Sequence, residues 1–321
     1  MVTESGESQQ VLARFVSLAK TDHRKVGMRG TVWRWLFVAL VALSLGLVQA
    51  FVLRGDSVTT DENSYLFQAH VFANARLWAP LPAEGRLLDF DFSMINFTDD
   101  HWFSRYSFAH PLALVPGVVA GYPLLTPFLM GLASVLLIRT LGRHCYSDCT
   151  ASASMLLLGL SPFFLAMHAT LLSHTSCMLA LLVFMLGCVK ASDSQQRGWG
   201  LLAGACLGFA VNTRPWTSVL MAWPFLAWLV WSWVRYRSRV LLHQLVAMGL
   251  AGVVFLGAYF LYNWLLTGYW WLTPYTLYNS TERLGFVYVS MIEMQHTPAA
   301  GLQNTLYNLR NLNYWWLGAP V

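Results

Sequence analysis

Charge is scarce in this chain. Asp, Glu, Lys and Arg make up 11% of its 321 residues, while hydrophobic residues make up 56%; ordinary soluble domains carry roughly a quarter charged residues. A soluble globule is excluded. Acid is absent where the chain is most apolar: none of the fifteen Asp and Glu falls inside a predicted span, which disfavours proton-coupled transport through intramembrane carboxylates. Cysteine is absent from every predicted outside loop. Cys145 and Cys149 fall in a predicted cytoplasmic turn and Cys177, Cys188 and Cys206 in spans, so no disulfide framework is implied. There is no internal period of about 20 to 50 residues, which excludes a solenoid. The formal charge of +5 and pI near 9.0 do not call for a nucleic-acid partner, because the charges sort by membrane side.

What the chain has instead is long apolar runs. About 20 apolar residues in a helix cross a hydrocarbon core, and helices satisfy every backbone group on the way. The runs predict an all-α, polytopic helical membrane protein with about seven crossings, near Val32 to Leu53, Leu112 to Leu141, Ala151 to Met167, Thr175 to Val189, Trp199 to Thr213, Trp216 to Trp233 and Gln244 to Leu266. The run from Leu112 to Leu141 is long for one upright helix and is broken early by Pro116, Gly117, Gly121, Pro123 and Pro127. It reads as a short helix entering the membrane face, then a full span from about Leu124. With this parity the tail and alternate loops carry 13 basic and 5 acidic residues, and the opposite side 7 basic and 10 acidic. The positive-inside rule then puts the amino terminus in the cytoplasm. A multi-pass protein of a bacterial inner (plasma) membrane is the expected setting, with membrane lipids as its surroundings.

Three regions follow. Residues 1–31 are expected to be a basic cytoplasmic tail, and 32–266 a transmembrane domain whose first extracytoplasmic loop is 54–110. Residues 267–321 are expected to be an extracytoplasmic segment leading into a further helix. The first span lacks a small-residue cleavage site and reads as a retained anchor. "LNYWWLGAPV" starts an apolar stretch that stops after ten residues, which suggests the amino-terminal part of a longer protein.

The first outside loop opens with "TTDENSYLFQAH", residues Thr59 to His70. Asp61 to Leu77 has amphipathic spacing, Thr59 and Glu62 have capping-box spacing, and Pro80 follows the end. The loop also carries Leu77, Trp78, Leu87, Leu88, Phe90, Phe92 and Trp102, too apolar for a disordered connector. A helix lying in the membrane interface suits His70 and Arg76 better than another crossing. Asp61 and Glu62 have an ordinary explanation, since carboxylates at a helix start satisfy free N–H groups and suit the dipole. They also have a chemical one: a carboxylate at the water edge of a membrane cavity can take a proton from a hydroxyl or amine.

A cytoplasmic amino terminus, one span, and an outside loop with an acidic pair on an amphipathic helix, followed by an aromatic "HP" re-entry, resemble the GT-C membrane glycosyltransferases. Within that class, the protein mannosyltransferases and the aminoarabinose transferase of lipid A look most similar. The resembling stretches are "DENSYLFQAHVFANARLWAP", "HWFSRYSFAHPLALVPG", "SPFFLAMHATLLSHTS", "GFAVNTRPWTS" and "YNWLLTGYWWLTPYTLYN". Their order and topology carry the likeness across residues 32–321. The resemblance implies transfer of a sugar from a polyprenyl-phosphate donor to a glycan, lipid or protein acceptor on the outer face, with inversion and without nucleic acid. It puts Asp61 at the family's outside acidic position, as base or as ligand of a divalent metal depending on the member, with Glu62 in support.

A departing lipid phosphate needs a cation or oriented donors. Arg105 and Arg214 are the best placed outside arginines, and His110 before Pro111 is a third candidate for the phosphate. For Arg214 the alternative is snorkelling, and for His110 a structural role. His168 and His174 bracket one outside turn, where a metal or lipid role competes with packing. His144, Cys145, Asp148 and Cys149 lack the second ligand pair of a metal motif. Tyr269, Trp270, Trp271, Tyr275 and Tyr278 could stack on a sugar or prenyl chain, although interfacial belts explain them too. Two sequons stand outside, at Asn96 and Asn279. A multi-pass transporter and a non-catalytic polyprenyl-lipid-binding protein are the alternative readings.

Overall fold

A computed structural model describes residues 28–81, 94–193, 198–282, 285–286, 288–289 and 293–317. The tail to residue 27, the stretch 82–93 with Leu87, Leu88, Phe90 and Phe92, and residues 318–321 lie outside the described residues.

The first helix, α1 (Met28–Leu47), runs into a π-helical turn at Val48–Val52. The wider turn places the buried Gln49 side chain against the neighbouring backbone, where its Nε2 donates to the Leu124 carbonyl at 3.3 Å. The helix α2 (Thr60–Ala73) follows, shorter than the predicted 61–77 because Asn74 caps it and Ala75 takes a positive φ of 54°. Three short strands, β1 (Ala79–Pro80), β2 (Ile95–Phe97) and β3 (His101–Ser104), form an antiparallel sheet in the order β1-β3-β2. Pro80 is tolerated because β1 is an edge. Ser64 of α2 bonds both to the Met94 carbonyl and to Ser104, and so fastens the helix to the sheet.

The predicted break in the next run is present. The short helix α3 (Ala109–Val119) turns through Gly121, at a φ of 75°, into the spanning helix α4 (Leu125–Cys145). A Cβ at Gly117 would lie 2.7 Å from both the Pro123 carbonyl and the Thr126 hydroxyl, so the hairpin closes only with glycine there.

The predicted span from Ala151 to Met167 is two helices. These are α5 (Asp148–Gly159) and α6 (Pro162–His168), and they meet at 63°. Ser161 caps α6 with its hydroxyl and Pro162 starts it, which stops α5 from continuing. The remaining long helices are α7 (His174–Asp193), α8 (Gly198–Thr213), α9 (Pro215–Tyr236) and α10 (Arg239–Thr267). Among the described residues, five helices are long and apolar enough to cross a membrane, or six if the bent pair is one span. The 16-residue α8 is about 24 Å long, short of a hydrocarbon core of about 30 Å. Beyond these lie α11 (Pro274–Tyr278), a two-stranded ribbon of β4 (Tyr288–Val289) and β5 (Met294–Gln295), and α12 (Pro298–Leu317).

The bundle centre is α7, with buried Cys177, Leu181, Phe184, Met185 and Cys188. The short helix α8 packs between α7 and α10. It presents Gly200, Gly204 and Gly208, where a Cβ would stand 2.3, 2.2 and 2.6 Å from Gln244, Met248 and Phe255 of α10. Small residues every fourth position let the two backbones meet. The outer faces of α9 and α10, with Trp216, Leu220, Trp223, Val253 and Val254, are exposed apolar surface suited to lipid.

At the other end of α4, Asp148 pairs with Arg139 at 2.6 Å and Arg143 at 3.2 Å. That carboxylate serves two guanidiniums, and no group of three metal-ligating side chains forms among the described residues.

Candidate active site

Three helix starts meet at one place, those of α2, α7 and α9. Each leaves backbone N–H groups without helical partners and carries the positive end of a dipole. Glu62 locks the first of them in place. One carboxylate oxygen accepts from the N–H groups of Val58 and Thr59, both at 3.1 Å, and from the Thr59 hydroxyl at 3.3 Å. The other accepts from the Leu171 N–H at 2.8 Å, in the turn before α7. Glu62 is 1% exposed. Its lone pairs are committed, so it serves as a clamp between α2 and the α6–α7 turn.

Asp61 is half-buried beside it. The Tyr106 hydroxyl, from the loop after β3, interacts with its carboxylate. Burial is the main cause that raises the Tyr106 pKa well above an ordinary phenol, with Tyr65 and Asp61 adding to it. Burial likewise pushes the Tyr65 hydroxyl up to about 12. Both phenols therefore keep their protons and act as donors. The two ring centres lie 4.4 Å apart at a tilt of 36°, and Tyr65 donates to the Ser173 hydroxyl at 3.2 Å.

Arg214 is the N-cap residue of α9, held there by Pro215 at the first helical position. Its Nη1 reaches Ser173 Oγ at 3.3 Å and His174 Nδ1 at 3.4 Å. Among the described residues no carboxylate pairs with it within 4 Å, so its fork keeps donors to spare. Asp61 and Arg214 both act electrostatically on Tyr65 and on His174. The fold thus brings the predicted carboxylate and one predicted guanidinium to the same group of side chains.

The other predicted phosphate ligands border the same tyrosines, His110 edge-on to Tyr65 at 4.7 Å and Arg105 5.6 Å from the Tyr106 ring centre, but their polar atoms are bonded within the protein. His110 is 1% exposed, with Nε2 2.7 Å from the Leu171 carbonyl and Nδ1 2.8 Å from the Ser176 hydroxyl. These partners assign a neutral ring that donates from Nε2, and it fastens α3 to the α6–α7 turn. Arg105 is buried, with Nη2 in an ion pair with Glu282 and Nη1 on Met94 Sδ. Its guanidinium lies 3.8 Å from the Tyr275 ring centre and 4.7 Å from that of Tyr278. Burial alone would raise the Glu282 pKa, but hydrogen bonds from Tyr275 and Arg105 hold its carboxyl below the usual range. Tyr275 and Tyr278 are thus walls of an arginine cage, whereas Tyr269, Trp270 and Trp271 are exposed. The Asn96 amide of the first sequon is buried and donates to the Pro274 carbonyl.

His168 is bonded within its own helix. Its Nδ1 donates to the Phe164 carbonyl at 3.0 Å, and its ring packs on Phe164. With Glu62 committed to N–H donors and His168 bonded to Phe164, Asp61 is left as a lone carboxylate, and no group of three His, Cys, Asp or Glu side chains forms among the described residues. That donor set does not fit a protein-held metal site.

Tyr65, Tyr106 and Ser173 were not singled out from the sequence. Tyr65 lies within the amphipathic stretch from Asp61 to Leu77, four residues after Asp61 and so on the same helix face. Nothing local marks Tyr106 or Ser173, because strand pairing and the α6–α7 bend bring them in. Residues 114–279, just over half of the chain, match the family described as dolichyl-phosphate-mannose-protein mannosyltransferase. The matched stretch contains Arg214 and His174 and begins after Asp61. No curated protein and no solved structure matches the chain.

Proposed function

Because the chain belongs to the dolichyl-phosphate-mannose-protein mannosyltransferase family of multi-pass, GT-C-type membrane glycosyltransferases, we propose that it moves a sugar from a polyprenyl-phosphate donor to a glycan, lipid or protein acceptor. The observation that carries this reading is the meeting of Asp61 and Arg214 at three helix N-termini. An acceptor oxygen or nitrogen attacks the anomeric carbon from the face opposite the lipid phosphate. Asp61 takes the acceptor proton, the bond to the phosphate oxygen breaks with its electron pair, and the configuration inverts. The negative charge that develops on the phosphate faces Arg214, the free N–H groups at the start of α9 and the Tyr65–Ser173 hydroxyls. Tyr106 steadies the carboxylate. The site faces the extracytoplasmic side of the membrane, with the amino terminus in the cytoplasm.

The test is transfer from polyprenyl-phosphate sugars by the protein in nanodiscs. Asp61→Asn is expected to lower kcat by about 10²–10⁴-fold, the range of general-base catalysis, with donor affinity kept. Arg214→Gln is expected to lower kcat by about 10²–10³-fold and to weaken the donor. Equal turnover in wild type and Asp61→Asn sinks the assignment of the base.

A further inference from the structure

A second feature stands at the opposite end of α2. There the chain leaves the helix through Asn74 and Ala75 and runs into β1, beside an open cavity of about 600 Å³ lined by Ala75, Arg76, Leu77, Trp78, Pro80 and Asp100. Its wall is held on several sides. The fully buried Gln68 donates to the Leu77 carbonyl at 2.8 Å and accepts from the Ser104 N–H at 2.9 Å. Ala79 and Pro80 pair with Trp102 and His101 in the sheet. The Trp78 ring lies 5.0 Å from that of His101, whose Nδ1 bonds to Asp100, and the Thr98 hydroxyl donates to the same carboxylate oxygen at 3.1 Å. Ala75 adopts a left-handed φ that a residue with a Cβ disfavours, and beyond this sharp exit Arg76 and Trp78 line the cavity together with Asp100.

The lining has three chemical parts. Trp78 is 38% exposed and offers aromatic surface. Asp100 accepts hydroxyl hydrogens, and Arg76 donates. An apolar ligand would strand the two charges, and an anion would meet Asp100. A pyranose answers all three, with C–H groups against the ring and hydroxyls toward carboxylate and guanidinium. We propose that this cavity is a saccharide-binding subsite for a neutral pyranose unit of a glycan. It stands about 20 Å along α2 from Asp61, since fourteen residues rise about 1.5 Å each. It rests on the cavity and holds whether or not Asp61 is the base.

Saturation-transfer NMR on the protein in nanodiscs, with maltohexaose, cellohexaose and a linear mannohexaose as probes, tests it. At least one hexaose binds saturably to wild type. Trp78→Ala weakens that binding by about tenfold or more, Trp78→Phe restores part of it, and Asp61→Asn leaves it unchanged. Arg76→Ala and Asp100→Ala, at the exposed rim, weaken it as well and decide the matter if Trp78→Ala does not fold. Absence of binding by wild type overturns the proposal, as does equal binding by the wild type and the cavity variants. Displacement of the hexaose by inorganic phosphate or by phosphatidylglycerol in the disc overturns it in favour of an anion site. Because Asp61→Asn is read by turnover and the cavity variants by binding, the two assignments fail separately.

Discussion

Four donors converge on Glu62, whereas its neighbour Asp61 meets the Tyr106 hydroxyl and keeps part of its surface open. The difference follows from helix geometry, since adjacent residues point about 100° apart and only one of the two can face the α6–α7 turn. Glu62→Gln replaces an acceptor oxygen with an NH₂ group facing N–H donors. We expect it to cost about 1–3 kcal/mol of stability, read as a lower melting temperature in detergent, while Asp61→Asn melts close to wild type. The reverse order would exchange their roles. The capping box was legible in the sequence because its spacing is local. That Glu62 also reaches Leu171 was not, because the two are 109 positions apart. His110 is buried, with both ring nitrogens bonded to partners 61 and 66 residues away, which no local pattern could show.

Elements show the same division. The prolines and glycines between Leu112 and Pro127 announced the α3–α4 hairpin, because breaking a helix needs nothing beyond the local chain. Pro162 carried the same signal for the α5–α6 bend, but the apolar run across it read as one span. The repeat of Gly200, Gly204 and Gly208 was equally present in the sequence, although only the partner α10 shows its use. Gly204→Leu drives a side chain into the Met248 backbone. Overpacking of this kind costs about 1–3 kcal/mol or more, so a clear fall in melting temperature is expected, against little change for Gly252→Leu, whose Cβ would meet nothing within 4 Å. Similar losses at both positions would show that close α8–α10 contact is not what holds this part of the bundle.

At the scale of the whole molecule, Cys145 and Cys149 are exposed at the basic end of α4, and Asp100 lies at the opposite, site-bearing end. A membrane-impermeant maleimide is expected to label Asp100→Cys on intact cells or spheroplasts and Cys145 only after permeabilisation; the opposite pattern inverts the orientation. The apolar runs gave the membrane class, and local spacing gave the helix after Thr59, because hydrophobicity and capping are properties of short windows. The constellation around Asp61 was only half visible, since its walls come from the loop after β3, the start of α7 and the start of α9. One of these long-range ties bears on how the protein is made. Arg105 finds Glu282 177 residues later, and at about 5–20 residues per second the ribosome needs roughly 10–35 s to deliver the partner. Through that interval the loop after β3 lacks the carboxylate partner of its guanidinium, and the tyrosine cage closes around it only once α10 and α11 have been made. Assembly of this end of the molecule is therefore a late event in biogenesis, and a nascent chain halted after α9 carries Asp61 and Arg214 without the wall that completes their surroundings.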